Sequence, residues 1–156
     1  MHSCVRMIYH LKPVSKRDSG VVLFNLKKCY HTVSRVFCHV QGTKDISYEE
    51  LKALVGKSPN LILIDVRSEE EVAKGHIPGC TNIPLDTVET AFAMNPDEFK
   101  AKYGIKKPQL DAPELVFSCQ SGRRSGLAIG KVQQLGYVTA RNYTGGYSEW
   151  SKKEGK

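Results

Sequence analysis

The decapeptide FSCQSGRRSG, Phe117 to Gly126, places one cysteine after an apolar run and directly before serine, glycine and two arginines. A cysteine kept for packing has apolar neighbours on both sides more often than glycines and guanidinium groups. Cys119 is therefore a candidate nucleophile, and Gln120, Ser121, Gly122, Arg123, Arg124 and Ser125 form a loop suited to an anion. The reason lies in the expected chain path. A strand that ends in a short glycine-bearing loop and enters a helix turns several backbone N–H groups inward, and the helix N-terminus adds positive potential there. The anion can be the cysteine's own thiolate, whose pKa then falls from about 8.5, each unit favouring the charged form by about 1.4 kcal/mol. No histidine adjoins Cys119, and the one histidine beyond residue 44, His76, lies in a proline-flanked turn, so a thiol–imidazole dyad has little support.

The elements that must position this loop are legible around it. In DISYEELKALVG a capping box of Ser47 with Glu50, an apolar face of Leu51, Leu54 and Val55, and a closing Gly56 predict a helix. LILIDVR is a short apolar run rich in isoleucine, suited to a buried parallel strand ending at Asp65. A second capping box, Ser68 with Glu71, starts a brief helix that Gly75 can end. The prolines of HIPGCTNIP leave room for a turn and a short strand at Thr81 to Ile83. LDTVETAFAM reads as helical, and NPDEFKAKYG as a helix capped by Asn95, with Pro96 at its first position and Gly104 at its end. ELVFS is a strand that runs straight into Cys119. The helix after the loop has Leu127, Ile129, Val132 and Leu135 as candidate packing residues and Gly136 as its stop. YVTARNY then reads as a strand and YSEWSKKEG as a last helix. Strands alternating with helices, without an evident hairpin, predict an α/β domain with a parallel sheet and helices on both faces. Ligands of such sheets bind at the carboxyl ends of strands, where Cys119 lies.

Composition bounds the function class. The 156 residues carry a net charge of +7, but residues 1–44 hold eight Lys and Arg against the single acid Asp18, while residues 45–156 balance 15 basic with 15 acidic residues. A nucleic-acid or membrane-surface partner for the folded part is therefore not expected. No apolar run approaches the 18 or so residues of a membrane span. The chain divides into a basic extension, 1–44, and a folded domain, 45–156. The extension has the composition of a mitochondrial transit peptide, with GVVLFNL as a short apolar helix face and SRVF resembling an arginine-directed processing site; a disordered extension of a cytoplasmic protein or a weak secretory segment are the alternatives. Cys4, Cys29, Cys38, Cys80 and Cys119 form no C-x-x-C pair and imply no disulfide framework. Cys29, His31, Cys38 and His39 match no familiar zinc spacing, so no metal or other cofactor is expected.

In four stretches the chain from about Asp45 to Glu154 resembles the rhodanese superfamily, in particular its single-domain thiosulfate sulfurtransferases: DVR at Asp65 to Arg67, GHIPGCTNIP at Gly75 to Pro84, CQSGRR at Cys119 to Arg124, and GGYSEW at Gly145 to Trp150. Phe92 to Gly104 also resembles an insertion of small eukaryotic members. The resemblance implies a rhodanese-type fold and a ping-pong cycle in which Cys119 accepts a sulfane sulfur from thiosulfate, becomes a persulfide, and passes the sulfur to an acceptor thiol or cyanide. It implies that the N–H groups of Gln120 through Ser125 cradle the sulfur and that Arg123 and Arg124 orient the sulfonate. Asp65 and Arg67 would give structural support, with His76, Tyr147, Trp150 and Cys80 packing or hydrogen-bonding inside the domain. The partners implied are a small-molecule sulfur donor and a thiol acceptor: glutathione, a thioredoxin-like protein or another protein thiol. Two other readings stay open. A cysteine phosphatase or arsenate reductase would resemble H-C-x5-R, whereas this loop is C-x4-R with Ser118 before the cysteine, a smaller cradle suited to one sulfur atom. A non-catalytic rhodanese-like binding module commonly lacks the cysteine that this chain keeps.

Overall fold

Residues 44–155 are described by a computed structural model. In chain order they form β1 (Lys44–Ile46), α1 (Tyr48–Leu54), β2 (Ile62–Asp65), α2 (Glu69–Ala73), β3 (Cys80–Asn82), α3 (Val88–Ala93), α4 (Pro96–Tyr103), β4 (Leu115–Ser118), α5 (Arg123–Gln134), β5 (Arg141–Tyr143) and α6 (Gly146–Glu154). The strands make one parallel sheet in the order β1-β5-β4-β2-β3, so β4 lies in the middle and aims its carboxyl end at the Cys119 loop. Alternation along the strands sends side chains to opposite faces. Ile62, Ile64, Leu115 and Phe117 meet Phe92, Phe99, Ile129 and Val132 of α3, α4 and α5. Leu63, Val116 and Tyr143 meet Leu51 of α1 and Trp150 of α6. This is the α/β sheet covered on both faces that the alternation of elements predicts.

Local signals set most element ends. Both capping boxes form: the Ser47 and Ser68 hydroxyls accept from the N–H groups of Glu50 and Glu71, whose carboxylates accept from the serine N–H groups in return. Pro96 begins α4, and Gly104 ends it in the left-handed region at φ 72°. Four expectations shift. β1 precedes α1 and was not foreseen; it begins at Lys44, in the segment set apart by its charge. The short strand between Pro78 and Pro84 is Cys80–Asn82, one residue earlier than Thr81 to Ile83. β5 holds only Arg141–Tyr143 of the segment read as a strand. On α5 the packing stripe is Ser125, Ala128, Ile129 and Val132, while Leu127 is 64% exposed and Leu135 36%. Positions i, i+3, i+4 and i+7 share one helix face, and Leu127 falls on the other side of it. The expected transit peptide and the cysteines and histidines of residues 1–43 lie outside the described residues.

Candidate active site

Cys119 follows the last residue of β4, and α5 starts four residues later. Two glycines let this loop lie against the one before α6. A Cβ on Gly122, whose φ is 79°, would sit 2.5 Å from the Thr144 carbonyl oxygen. A Cβ on Gly146, at φ 58°, would sit 2.5 Å from Gln120 O and 2.6 Å from Cys119 O. That closeness allows the start of α6 to hold the loop's carbonyls: Tyr147 N–H donates to Cys119 O at 2.8 Å, and Ser148 N–H and Oγ donate to Gln120 O at 3.1 and 2.8 Å. In a trans peptide the N–H points opposite to the C=O. With the Gln120 carbonyl drawn to α6, the Ser121 N–H turns toward the sulfur, where it donates beside the N–H groups of Arg124 and Ser125.

Cys119 is 1% exposed and packs at the end of the larger apolar cluster. Burial pushes its thiol pKa up, yet the Ser125 hydroxyl and the N–H groups of Ser125, Ser121 and Arg124 outweigh it, and the net direction is down. The Ser125 hydroxyl lies 3.4 Å from Sγ.

Asp65 and Arg67 brace the loop from the β2 end. Arg67 Nη2 donates to Asp65 Oδ2 at 2.8 Å and Nε to both carboxylate oxygens at 3.1 Å, with both side chains almost fully buried. The same guanidinium donates to Gly75 O at 2.8 Å and Gln120 Oε1 at 3.3 Å, and lies 4.4 Å from the Tyr147 ring centre. Gln120 thus turns its side chain to Arg67 and, through Nε2, to Ser148 Oγ at 2.8 Å. Asn82 Nδ2 donates to the carbonyls of Asp65 and Arg67 at 2.9 and 2.8 Å.

The two loop arginines differ. Arg123 is exposed, whereas Arg124 donates Nη1 and Nη2 to the two carboxylate oxygens of Glu71 at 2.6 and 2.8 Å. The Arg124 guanidinium draws Glu71 down to about 2, and Glu71 raises Arg124 in return. Beside this pair a groove of about 640 Å³ runs between Pro84, Leu85, Leu127 and Lys131.

Three comparisons bear on this arrangement. A family model described as a rhodanese-like domain matches residues 47–153. The chain belongs to the rhodanese family. It is a single-domain sulfurtransferase of rhodanese type, 46% identical over 113 residues to human thiosulfate:glutathione sulfurtransferase, covering 72% of this chain and 97% of that one. The solved structure of the human single-domain sulfurtransferase TSTD1 superposes with a TM-score of 0.67 at 46% identity, over 72% of this chain and 98% of that one. A thiosulfate sulfurtransferase of Schizosaccharomyces pombe whose name carries "mitochondrial" is 40% identical over 92 residues, 59% of this chain and 64% of that one.

In this rhodanese the second described cysteine, Cys80, packs with Leu63 and Ile77 in the cluster on the other face of the sheet from Cys119. Cys80 is half-buried against that cluster, and burial, with the Asp65 charge adding to it, pushes its thiol up to about 11. His76 Nδ1 lies 3.2 Å from Val72 O, and Trp150 packs 5.4 Å from Tyr48 between ring centres. Glu71 is legible in the sequence only as a cap, and Asn142 and Ser148 carry no local signal of their contacts with the loop. The charge signal of Glu71 was visible in SEEE, but its contact with Arg124 spans 53 residues and no local pattern encodes it.

Proposed function

We propose that this sulfurtransferase takes the outer sulfur of thiosulfate onto Cys119 and hands it to a small thiol, glutathione first among them. The observation that carries the reading is a buried sulfur met by three backbone N–H groups and one hydroxyl, which favour the thiolate against its own burial. The thiolate attacks the outer sulfur, the S–S bond of thiosulfate breaks, and sulfite leaves with the bonding pair. Cys119 is then a persulfide anion. An acceptor thiolate attacks the terminal sulfur, and Cys119 departs as the thiolate that began the cycle. Charge and sulfur balance in each step, and no cofactor enters.

In this cycle Ser121, Arg124 and Ser125 hold the charge on Sγ through their N–H groups, while Gln120 and Gly122 shape the loop that presents them. Arg123 offers the sulfonate a free face, and Arg124 joins it by exchanging Glu71 for substrate. That exchange costs little, because the pair is about one-third exposed on each side and such pairs contribute roughly 0–1 kcal/mol. Asp65 and Arg67 serve as support. A thioredoxin-like or other protein thiol is the second acceptor class, and cyanide the third. Residues 1–44 serve as a mitochondrial address, a reading in keeping with the S. pombe relative's name; import of the full chain, but not of residues 45–156, into isolated mitochondria tests it.

The deciding experiment incubates the protein with thiosulfate, assays sulfite, and weighs the intact protein. One added sulfur on the parent, absent from Cys119→Ser, is the expected result. No sulfur and no sulfite would sink the thiosulfate reading.

A further inference from the structure

The Ser125 hydroxyl has one hydrogen and three acceptors around it: Asn142 Oδ1 at 2.7 Å, Gly122 O at 3.1 Å and Cys119 Sγ at 3.4 Å. Ser125 is 0% exposed and Asn142 6%, so an acceptor that loses this hydrogen has little access to water. Asn142 reaches the site from β5, in register with Phe117 two residues before the cysteine. Its amide orientation is fixed, because Nδ2 donates to Gly122 O at 3.3 Å. Turned over, the amide would set Oδ1 against that carbonyl, two acceptors face to face, so Oδ1 is the atom that faces Ser125.

The best acceptor for the hydroxyl depends on the charge of the sulfur. Against a neutral thiol, the short contact to Asn142 wins. Against a thiolate the sulfur wins, since hydrogen bonds to ionised acceptors are the stronger. Rotation about the Ser125 Cβ–Oγ bond makes the change without moving a heavy atom. It also strips Asn142 Oδ1 of its donor, so Asn142 resists the change.

We propose that Asn142 is a positioning residue for sulfur transfer: its carboxamide oxygen competes with Cys119 Sγ for the Ser125 hydrogen, which lies on the sulfur in the thiolate and on Asn142 once a second sulfur is attached. The inference rests on Cys119 being the sulfur carrier. Its purpose follows from the two steps, in which one thiolate is first nucleophile and then leaving group. A lower thiol pKa speeds departure and weakens attack. A hydroxyl shared with Asn142 stabilises the sulfur during departure yet holds it less firmly than an undivided donor would.

The charged and titratable groups around the sulfur do not obscure a test. Arg124 is held by Glu71, which stays ionised above about pH 2; Cys80 stays protonated below about 11; Asp65 is paired with Arg67, against which the Tyr147 ring lies. The experiment is a pH titration of Cys119 in the full chain by site-resolved alkylation, with no sulfur donor present. Asn142→Leu is expected to lower the midpoint by about 0.5–1 unit, and to leave it unmoved in a Ser125→Ala background. Equal shifts in both backgrounds, or none in either, would overturn the proposal. Should the leucine variant not fold, the parent decides: the Asn142 carboxamide 15N–1H resonances should move at the Cys119 midpoint and stay still in Ser125→Ala. Resonances that ignore that midpoint in the parent count against the proposal. Because the titration needs no thiosulfate, its failure and the failure of the sulfur-transfer assay are separate results.

Discussion

A thiol at the end of an apolar cluster is hard to ionise, and the N–H and hydroxyl donors around Cys119 lower its pKa against that burial. Replacing Ser125 by alanine removes one of them and should raise the alkylation midpoint by about one unit. Since the folded pKa lies below the ordinary thiol value, ionisation adds stability above that value and the gain is lost as pH falls through the folded one. The urea midpoint of the parent, relative to Cys119→Ser, should therefore be higher at about pH 9 than at about pH 6. At the neighbouring ion pair, Glu71→Gln leaves Arg124 uncommitted. KM for thiosulfate should fall two- to fivefold, on the order of 1 kcal/mol or less, with kcat little changed; an unchanged KM would remove Arg124 from sulfonate binding. Arg67 has the opposite character, because its partner Asp65 is fully buried. Arg67→Ala strands that carboxylate and should cost about 3–5 kcal/mol in urea unfolding.

Elements convert these contacts into geometry. The start of α6 holds two carbonyls of the Cys119 loop, so Gly146→Ala, whose Cβ would strike both, should displace the loop and reduce sulfur loading. Far-ultraviolet circular dichroism that stays native while loading falls would place the damage in the loop. What the sequence made legible here was whatever is encoded within a few residues. The capping boxes at Ser47 and Ser68, the Pro96 start and Gly104 stop of α4, and the run of β4 into Cys119 are of that kind. β1 escaped because three residues, KDI, carry no period of their own and gain their pairing from β5, nearly a hundred residues on. Leucine usually marks a core face, yet Leu127 and Leu135 are exposed; beside Ile129 and Val132 the buried stripe of α5 uses Ser125 and Ala128, small enough to let the helix lie close to the sheet. The loop residues were found together as a string, while the partners that set their chemistry, Glu71, Asn142 and Ser148, come from three other elements.

At the scale of the molecule, β1 is an edge strand with one large anchor, Ile46, which is 1% exposed. A chain shortened to begin at Ser47 loses that side chain and uncovers the edge of β5. Relative to one beginning at Gln41, its unfolding free energy should fall by at least about 1.5–3 kcal/mol, the amount expected for the isoleucine alone. The pairing of Lys44 with Arg141 also sets an order of events during synthesis. The first strand leaves the ribosome early and waits for a partner made almost last, and closing so long a loop is slow as well as late. Until then the sheet lacks an edge, and the basic residues before it are tethered to a chain that has not finished folding. The domain therefore reaches its compact form only when synthesis of the chain is all but complete.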